Sequence, residues 1–442
     1  MNVPVLIILF ILFILIILSY SIKNTDFVAI SLLCMFTGAT IAFVALNVQF
    51  TDFIQMVEWQ AIIIILSMSL ITKIAQDSNI LEYVAVKLFK LSKGNQRIFL
   101  YLLCIITTLL AAIITDVVVV LILAPVVVRL CHFLKIRAGT YLLGMTICIN
   151  IGSMMTPFSS GENIIITTYT WTSAVPELNT LYFIQYYWIF AFLLLFLTVF
   201  LIDKFLLSKE PKIEEQQKQF VLELVDADIM IKNKKYFYFN SIAIIITIAL
   251  FAILPVLYLT AIISALILVI VNKRFTKKPM GELLRDIEWE IIFFFIALYV
   301  IVGSLIQAGF DEIFQTIPFQ LIDPILLSFL LLIAISLISG FVANTPTALI
   351  FLPIINTLIS PGGSFAPFPY IPLVFSLIVA INLGGNFIPQ GAAADMMTLK
   401  VARDNDVENL NYRRLLKMGA IFATIHLLCA MLYLVILIPF SG

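Results

Sequence analysis

The sequence predicts an all-α integral membrane protein built from two inverted repeats of five transmembrane spans, each repeat carrying a re-entrant hairpin and a broken helix. Three observations predict it. Of 442 residues, 62% are apolar and only 12% charged, against about 25% charged in soluble domains. Apolar runs long enough to cross a hydrocarbon core of roughly 30 Å recur along the whole chain. Motifs of the first half return in the second half in the same order. A soluble fold cannot bury so much apolar surface, and ten crossings leave no room for a separate soluble domain. The partner implied is the lipid bilayer. The 26 basic residues are balanced by 26 acidic ones, so no basic footprint for nucleic acid exists.

In chain order the expected spans are 3–20, 26–46, 58–74, 138–170, 181–203, 238–254, 257–271, 289–307, 371–399 and 418–439. Val3 to Ser19 has no positive flank before it and no small-residue cleavage site after it, so it reads as a retained first span. The stretches 138–170 and 371–399 are too long for one plain helix and are interrupted by Gly, Pro and Asn; they are read as broken helices. Segments 98–133 and 324–360 are apolar with polar centres, each long enough to enter and return as a hairpin. Segment 204–237 is charged and polar and reads as a solvated linker between repeat 1–203 and repeat 238–442.

With this arrangement all 26 Lys and Arg residues fall on one side, from Lys23 through the linker lysines to Lys417. The opposite loops hold Asp52, Glu58, Glu177, Asp311, Glu312 and Asp323 and no basic residue. The positive-inside rule makes the basic side cytoplasmic. The chain is then a multi-pass protein of the plasma (inner) membrane with both termini outside and linker 204–237 in the cytoplasm. The first hairpin enters from the cytoplasm and the second from outside.

The repeat is visible in three places. Glu58-Trp59 matches Glu288-Trp289, Asp116 with Pro125 nine residues on matches Asn344 with Pro353, and Asn150-x-Gly152 with Pro157 matches Asn382-x-Gly384 with Pro389. The offsets are 230, 228 and 232. Five crossings is odd, so the halves are inverted. Inverted repeats with broken helices are the sequence pattern of a secondary transporter. Breaking a helix in lipid exposes backbone groups at several kcal/mol each, a cost tolerated where those groups bind an ion or substrate.

The candidate substrate- and ion-binding residues lie at these breaks. The first hairpin offers Thr115 and Asp116, and the first broken helix Asn150, Gly152, Ser153 and Thr156. The second hairpin offers Asn344, Thr345 and Thr347, and the second broken helix Asn382, Gly385, Asn386 and Gln390. Asp116 is the sharpest signal, a carboxylate between Ile113-Ile114 and Val117–Ile122; inside a membrane such a group is a functional site by default. Glu162, Asn163 and Asp395 follow the broken-helix prolines and are candidates for coupling or for support behind the site. No basic residue reaches the midplane. His132 sits at a cytoplasmic end and His426 alone on an apolar helix. The five cysteines form no C-x-x-C pair and read as small buried hydrophobes. No cofactor is expected, and no metal beyond a candidate Na⁺ at Asp116 and Asn344. Nucleotide, zinc-protease and hydrolase motifs are absent, so an enzyme is not expected.

Several motifs resemble the ion transporter superfamily, which includes arsenite efflux permeases, a bacterial Na⁺/H⁺ antiporter type, the melanosomal pink-eyed-dilution protein, and citrate and divalent-anion symporters. Glu288-Trp-Glu-Ile-Ile-Phe-Phe-Phe-Ile-Ala-Leu-Tyr-Val-Ile-Val-Gly303 resembles its acidic-Trp opening helix. Thr115-Asp116 is similar to the Asn-Asp hairpin of the arsenite permeases, Ala343-Asn344-Thr-Pro-Thr347 to their Asn-Asn-x-Pro-Thr hairpin, and Asn382-Leu-Gly-Gly-Asn-Phe-Ile-Pro-Gln-Gly391 to their broken helix. The Ser-Asn-Thr signature of dicarboxylate symporters is missing from the first hairpin and partly matched at Asn344-Thr345, which argues against a carboxylate substrate. The resemblance implies an elevator-type secondary permease for a small inorganic ion, oxyanion or oxyacid, coupled to H⁺ or Na⁺, and a homodimer joined through its scaffold. The rivals are a Na⁺-coupled anion or dicarboxylate symporter, a passive channel, and a membrane subunit of an ATPase-driven pump, which would need a nucleotide-binding partner. The topology makes one direct prediction. Tags at both termini are accessible from outside intact cells, and protease cuts linker 204–237 only from the cytoplasmic face; cleavage from outside would contradict the assignment.

Overall fold

The computed structural model describes residues 2–21, 25–172, 175–213, 219, 228, 231–254, 256–276, 280–285, 287, 289–315, 322–360 and 370–437. Glu288 and residues 214–218, 220–227 and 229–230 of linker 204–237 lie outside the described residues. Every regular element among the described residues is helical. The protein is an all-α integral membrane protein, with ten helices long and apolar enough to cross a bilayer.

The first half runs α1 (Val3–Ser21), α2 (Phe27–Leu46), short α3 (Phe50–Met56), α4 (Trp59–Asp77), α5 (Ile80–Leu91), α6 (Gln96–Ala111), α7 (Asp116–Phe133), α8 (Gly139–Ser153), α9 (Gly161–Thr168), and α10 (Thr180–Phe183), which passes through a π-helical turn into α11 (Ile189–Phe205). The second half runs α12 (Lys234–Ile253), α13 (Leu257–Thr276), short α14 (Met280–Arg285), α15 (Trp289–Gln307), α16 (Phe310–Gln315), α17 (Pro324–Val342), α18 (Asn344–Ile359), α19 (Ile371–Gly384), α20 (Ala393–Asp404) and α21 (Tyr412–Leu437). The order of long, short and interrupted helices in the first half recurs in the second.

Local chemistry sets the helix starts. The Asp26, Asn95, Ser160, Asn179, Asn233 and Asp323 side chains each accept a bond from a first-turn N–H of the helix that follows, supplying partners that the helix itself cannot. The hairpins are α6–α7 and α17–α18. By length alone Asp116–Phe133 and Pro324–Val342 could each cross a membrane, whereas the pieces of the two broken helices are shorter. The first hairpin tip meets the neighbouring break: the Thr156 hydroxyl, in the break after α8, donates to the Ala112 carbonyl at 2.6 Å.

Packing sorts the helices into two groups. In the first, α2 lies on α15 and α13 on α4, a contact made twice with the halves exchanged, while α1 and α12 flank those pairs. In the second, α6 lies on α8 and α17 on α19, α7 on α20 and α9 on α18, with α11 and α21 behind. Glycines permit the tight hairpin contacts. A Cβ on Gly152 would strike the Thr108 carbonyl oxygen, and one on Gly384 would lie 2.5 Å from the Ser336 carbonyl oxygen. On the outside of the second group, Glu210 at the start of the linker accepts from the Thr140 hydroxyl at 2.8 Å and the Asn409 amide at 3.1 Å. Gly152→Ala and Gly384→Ala each force helix backbones apart and are expected to destabilise the protein by roughly 1–3 kcal/mol, read as lower melting temperatures of the purified protein; an unchanged melting temperature in both would contradict the packing.

Candidate functional site

Four helices begin at one place. Asp116, Gly161, Asn344 and Ala393 are the first residues of α7, α9, α18 and α20, and all four line a single cavity of 120 Å³. Unpaired first-turn N–H groups and the aligned peptide dipoles make each such end partly positive. The same cavity receives the side chains of Thr115, Asp116, Glu162 and Thr345, with Ser69 of α4. Among the described residues, no Lys, Arg or His lines it. The opposite wall is aromatic, formed by Tyr20, Phe294 and Phe295.

The polar groups are held in a defined order. Asp116, half-buried, uses one carboxylate oxygen to accept the Val117 N–H at 2.8 Å. It therefore occupies a donor at its own helix start. The Asn344 amide donates to Glu162 at 3.0 Å, and its oxygen accepts from the Ser339 hydroxyl at 2.7 Å. That pair ties the second hairpin to the first broken helix. Ala343, which precedes Asn344, has φ 78° and ψ 159°, a backbone region costly for a residue with a Cβ; the strain is stored at the tip that presents Asn344. A Cβ on Gly385 would lie 3.0 Å from the Asn344 side-chain oxygen, so the glycine makes room for it.

The other sequence candidates form a buried lattice behind the cavity. The Asn150 amide donates to the Asn386 side-chain oxygen at 2.8 Å, and the Asn382 amide to Asn163 at 2.9 Å. Asn163 in turn donates to the Ser153 and Thr156 carbonyls at 2.7 and 2.9 Å, tying up oxygens freed by the break. The Ser153 hydroxyl turns back to Ile149 and the Thr347 hydroxyl to Ala343, so neither faces the cavity. Gly152 serves the close approach to α6. Asp395 is buried, accepts from the Thr146 hydroxyl at 2.6 Å and does not line the cavity. Gln390 lies in a wider neighbouring cavity of 960 Å³, where it accepts from the Tyr412 hydroxyl at 2.8 Å. That vestibule also receives Lys400 and Arg403.

Thus Thr115, Asp116, Glu162, Asn344 and Thr345 come together at the cavity, while Asn150, Asn163, Asn382 and Asn386 bind one another. Sequence reasoning missed Tyr20, Ser69, Thr146, Phe294, Phe295 and Ser339, which look like ordinary members of apolar helices. Asn344→Ala removes a hydrogen-bond partner from both Glu162 and Ser339 and is expected to cost roughly 1–3 kcal/mol of stability, measured by thermal unfolding against wild type; no loss would contradict the described pairing.

Comparison with known proteins agrees with this architecture. Solved structures of similar fold include the Alcanivorax borkumensis YdaH transporter, with a TM-score of 0.61 at 12% identity over 91% of this chain and 89% of that one. Neisseria gonorrhoeae MtrF, described among antimetabolite efflux pumps, superposes with a TM-score of 0.59 at 11% identity over 92% and 85%. Among curated relatives, an uncharacterised transporter of Mycobacterium tuberculosis is 23% identical over 86% of each chain. A 46 kDa membrane protein of Mycobacterium leprae is 24% identical over 78% of this chain and 79% of its own. The mouse P protein is 25% identical over 30% of this chain and 16% of its own. The family profile described as citrate transporter (CitMHS) matches residues 7–380. Helical architecture, transporter relatives and a profile match over most of the length converge: the chain is a membrane transporter, not an enzyme, and belongs to the citrate transporter (CitMHS) family.

Proposed function

We propose that this transporter is a secondary permease that carries a small oxyanion or oxyacid together with a coupling cation, with Asp116 as the coupling group. The observation that carries the reading is the meeting of four helix N-termini and two carboxylates in one cavity with no basic side chain among the described residues that line it. The helix ends attract an anion. The carboxylates of Asp116 and Glu162 oppose it, and Asp116 already holds the Val117 N–H that an anion would use. A proton on Asp116 removes the charge and weakens its hold on that donor. Proton and anion then enter together, or a neutral oxyacid enters by itself. A Na⁺ ion between Asp116 and Asn344 would have the same electrostatic effect. The family description favours a second reading, a carboxylate such as citrate. The missing Ser-Asn-Thr signature weighs against a symporter that uses that motif, but a carboxylate neutralised by protons or by a bound cation fits the same electrostatic rule.

The packing supports an alternating-access reading. The polar tips and breaks belong to one packing group and the aromatic wall to the other. We read the second group as the moving unit of an elevator. It contains α11 and α21 as well as the hairpins and broken helices, because these two helices pack on α8 and α19. The reciprocal contacts of the first group support the inverted repeats, and a homodimer would be joined through that group. With the basic loops cytoplasmic, the vestibule holding Lys400 and Arg403 opens to the cytoplasm of a plasma membrane.

Proteoliposomes holding a pH gradient and an internal pH dye test the function. Na⁺, Li⁺, arsenite, sulfate, dicarboxylates, and citrate with and without a divalent cation are added in turn. One solute is expected to dissipate the gradient with wild type and to fail with Asp116→Asn, which stays folded. Equal coupled turnover in the variant would sink the role of Asp116, and large conductance without saturation would show a channel.

A further inference from the structure

Tyr20 stands at the boundary of two cavities. It lines the 120 Å³ cavity that holds Asp116 and also the 960 Å³ vestibule that holds Gln390, Lys400 and Arg403. Ala393, a small residue, is the other side chain shared by both linings. The Tyr20 ring is fixed by its neighbours. It stacks on Phe294 with centroids 4.9 Å apart and planes at 19°, and meets the Phe27 ring edge-on at 5.4 Å. Phe27 closes the triangle against Phe294 at 5.7 Å. These three rings come from α1, α2 and α15, helices that pack on one another. Tyr20 is nonetheless 36% exposed, whereas Phe294 is 2% exposed. Phe294 is thus enclosed, while Tyr20, held against it, keeps one part of its ring at the cavity boundary.

The polar side of the cavity belongs to other helices. Asp116, Glu162, Asn344 and Thr345 sit on the hairpins and the first broken helix. The contact between the two sides is close: a Cβ on Gly161 would lie 2.9 Å from the Phe295 ring. The site is therefore a set of polar helix ends facing an aromatic wall, with a bulky stacked ring where the small chamber meets the large one.

We propose that Tyr20 is a gate and size-selecting residue, its ring barring free passage between the vestibule and the Asp116 cavity and so limiting which solutes reach the site. The proposal rests on the Asp116 cavity being the transport site. A ring mounted on the packing group opposite the polar tips keeps its place while those tips shift past it. It excludes bulky solutes from the small chamber by steric occlusion.

The test is a labelling rate. Ser69, half-buried, lines the cavity and has no assigned role in binding. In full-length protein bearing Ser69→Cys, the rate of modification by a bulky sulfonated maleimide is measured in detergent. Cys429 is replaced by Ser because, unlike the four buried cysteines, it is partly exposed. Tyr20→Ala is expected to speed labelling by at least an order of magnitude, and Tyr20→Phe to leave it unchanged. Unchanged labelling in Tyr20→Ala overturns the gate. A Tyr20→Phe rate as fast as Tyr20→Ala also overturns it, since the hydroxyl and not the ring would then be the barrier. Should Ser69→Cys fail to fold, Thr345→Cys reports on the same cavity. The readout does not depend on what is transported. Tyr20-dependent labelling without proton-coupled transport would leave the gate standing and overturn the coupling assignment, and the reverse pattern would do the opposite.

Discussion

A helix that stops inside a membrane must find partners for the backbone groups it exposes, and the rest of this structure follows from that constraint. Hydrocarbon offers no hydrogen bonds, and each unmet group costs several kcal/mol. Here the cost is met in two ways. The carbonyls freed after α8 receive the Asn163 amide and the Ser159 hydroxyl. The N–H groups at the starts of α7, α9, α18 and α20 are gathered around one cavity. The first solution makes the breaks rigid. The second sets the partly positive ends of four helices around one chamber.

Electrostatics then decides what that solute can be. Four positive helix ends without carboxylates would form an anion trap, slow to release. In the proposed mechanism, two carboxylates at those ends turn the trap into a conditional site, whose affinity for an anion depends on whether a cation or proton is present. Asp116 is suited to that part because it is tethered to the donor it blocks, while Glu162 is held by Asn344 from the opposite hairpin. The two hairpins thus reach the site with different chemistry at equivalent positions, an acid in one and an amide in the other. The family and the relatives establish a transporter; this asymmetry is what suggests coupling.

Much of this was legible in the sequence, for physical reasons that can be traced to particular residues. A carboxylate between Ile114 and Val117 is expensive in lipid, so Asp116 stood out without any structure. The repeat then pointed to Asn344 at the equivalent tip. Glu162 was visible as an acid beyond Pro157, but its partner lies 182 residues away, and nothing in one sequence announces that pairing. Asn150 and Asn382 looked as good as Asn344, yet they bind Asn386 and Asn163 instead. Polarity at a break does not reveal whether a side chain faces the cavity or braces the backbone behind it. Tyr20 was invisible because an aromatic residue at a helix end is ordinary in a membrane protein, and only its position between two cavities distinguishes it. Likewise α11 and α21 read as plain spans, and packing alone placed them with the hairpins.

The account's central claim is that Asp116 and the transported anion compete for one helix start. It is tested most directly by the pH dependence of binding to purified protein, using the anion that the gradient assay identifies. If one proton is taken up with the anion, affinity in wild type tightens about tenfold for each unit fall in pH across the titration of Asp116, and Asp116→Asn binds with an affinity that scarcely changes with pH. A wild-type affinity independent of pH, in the presence and absence of Na⁺, would contradict the account.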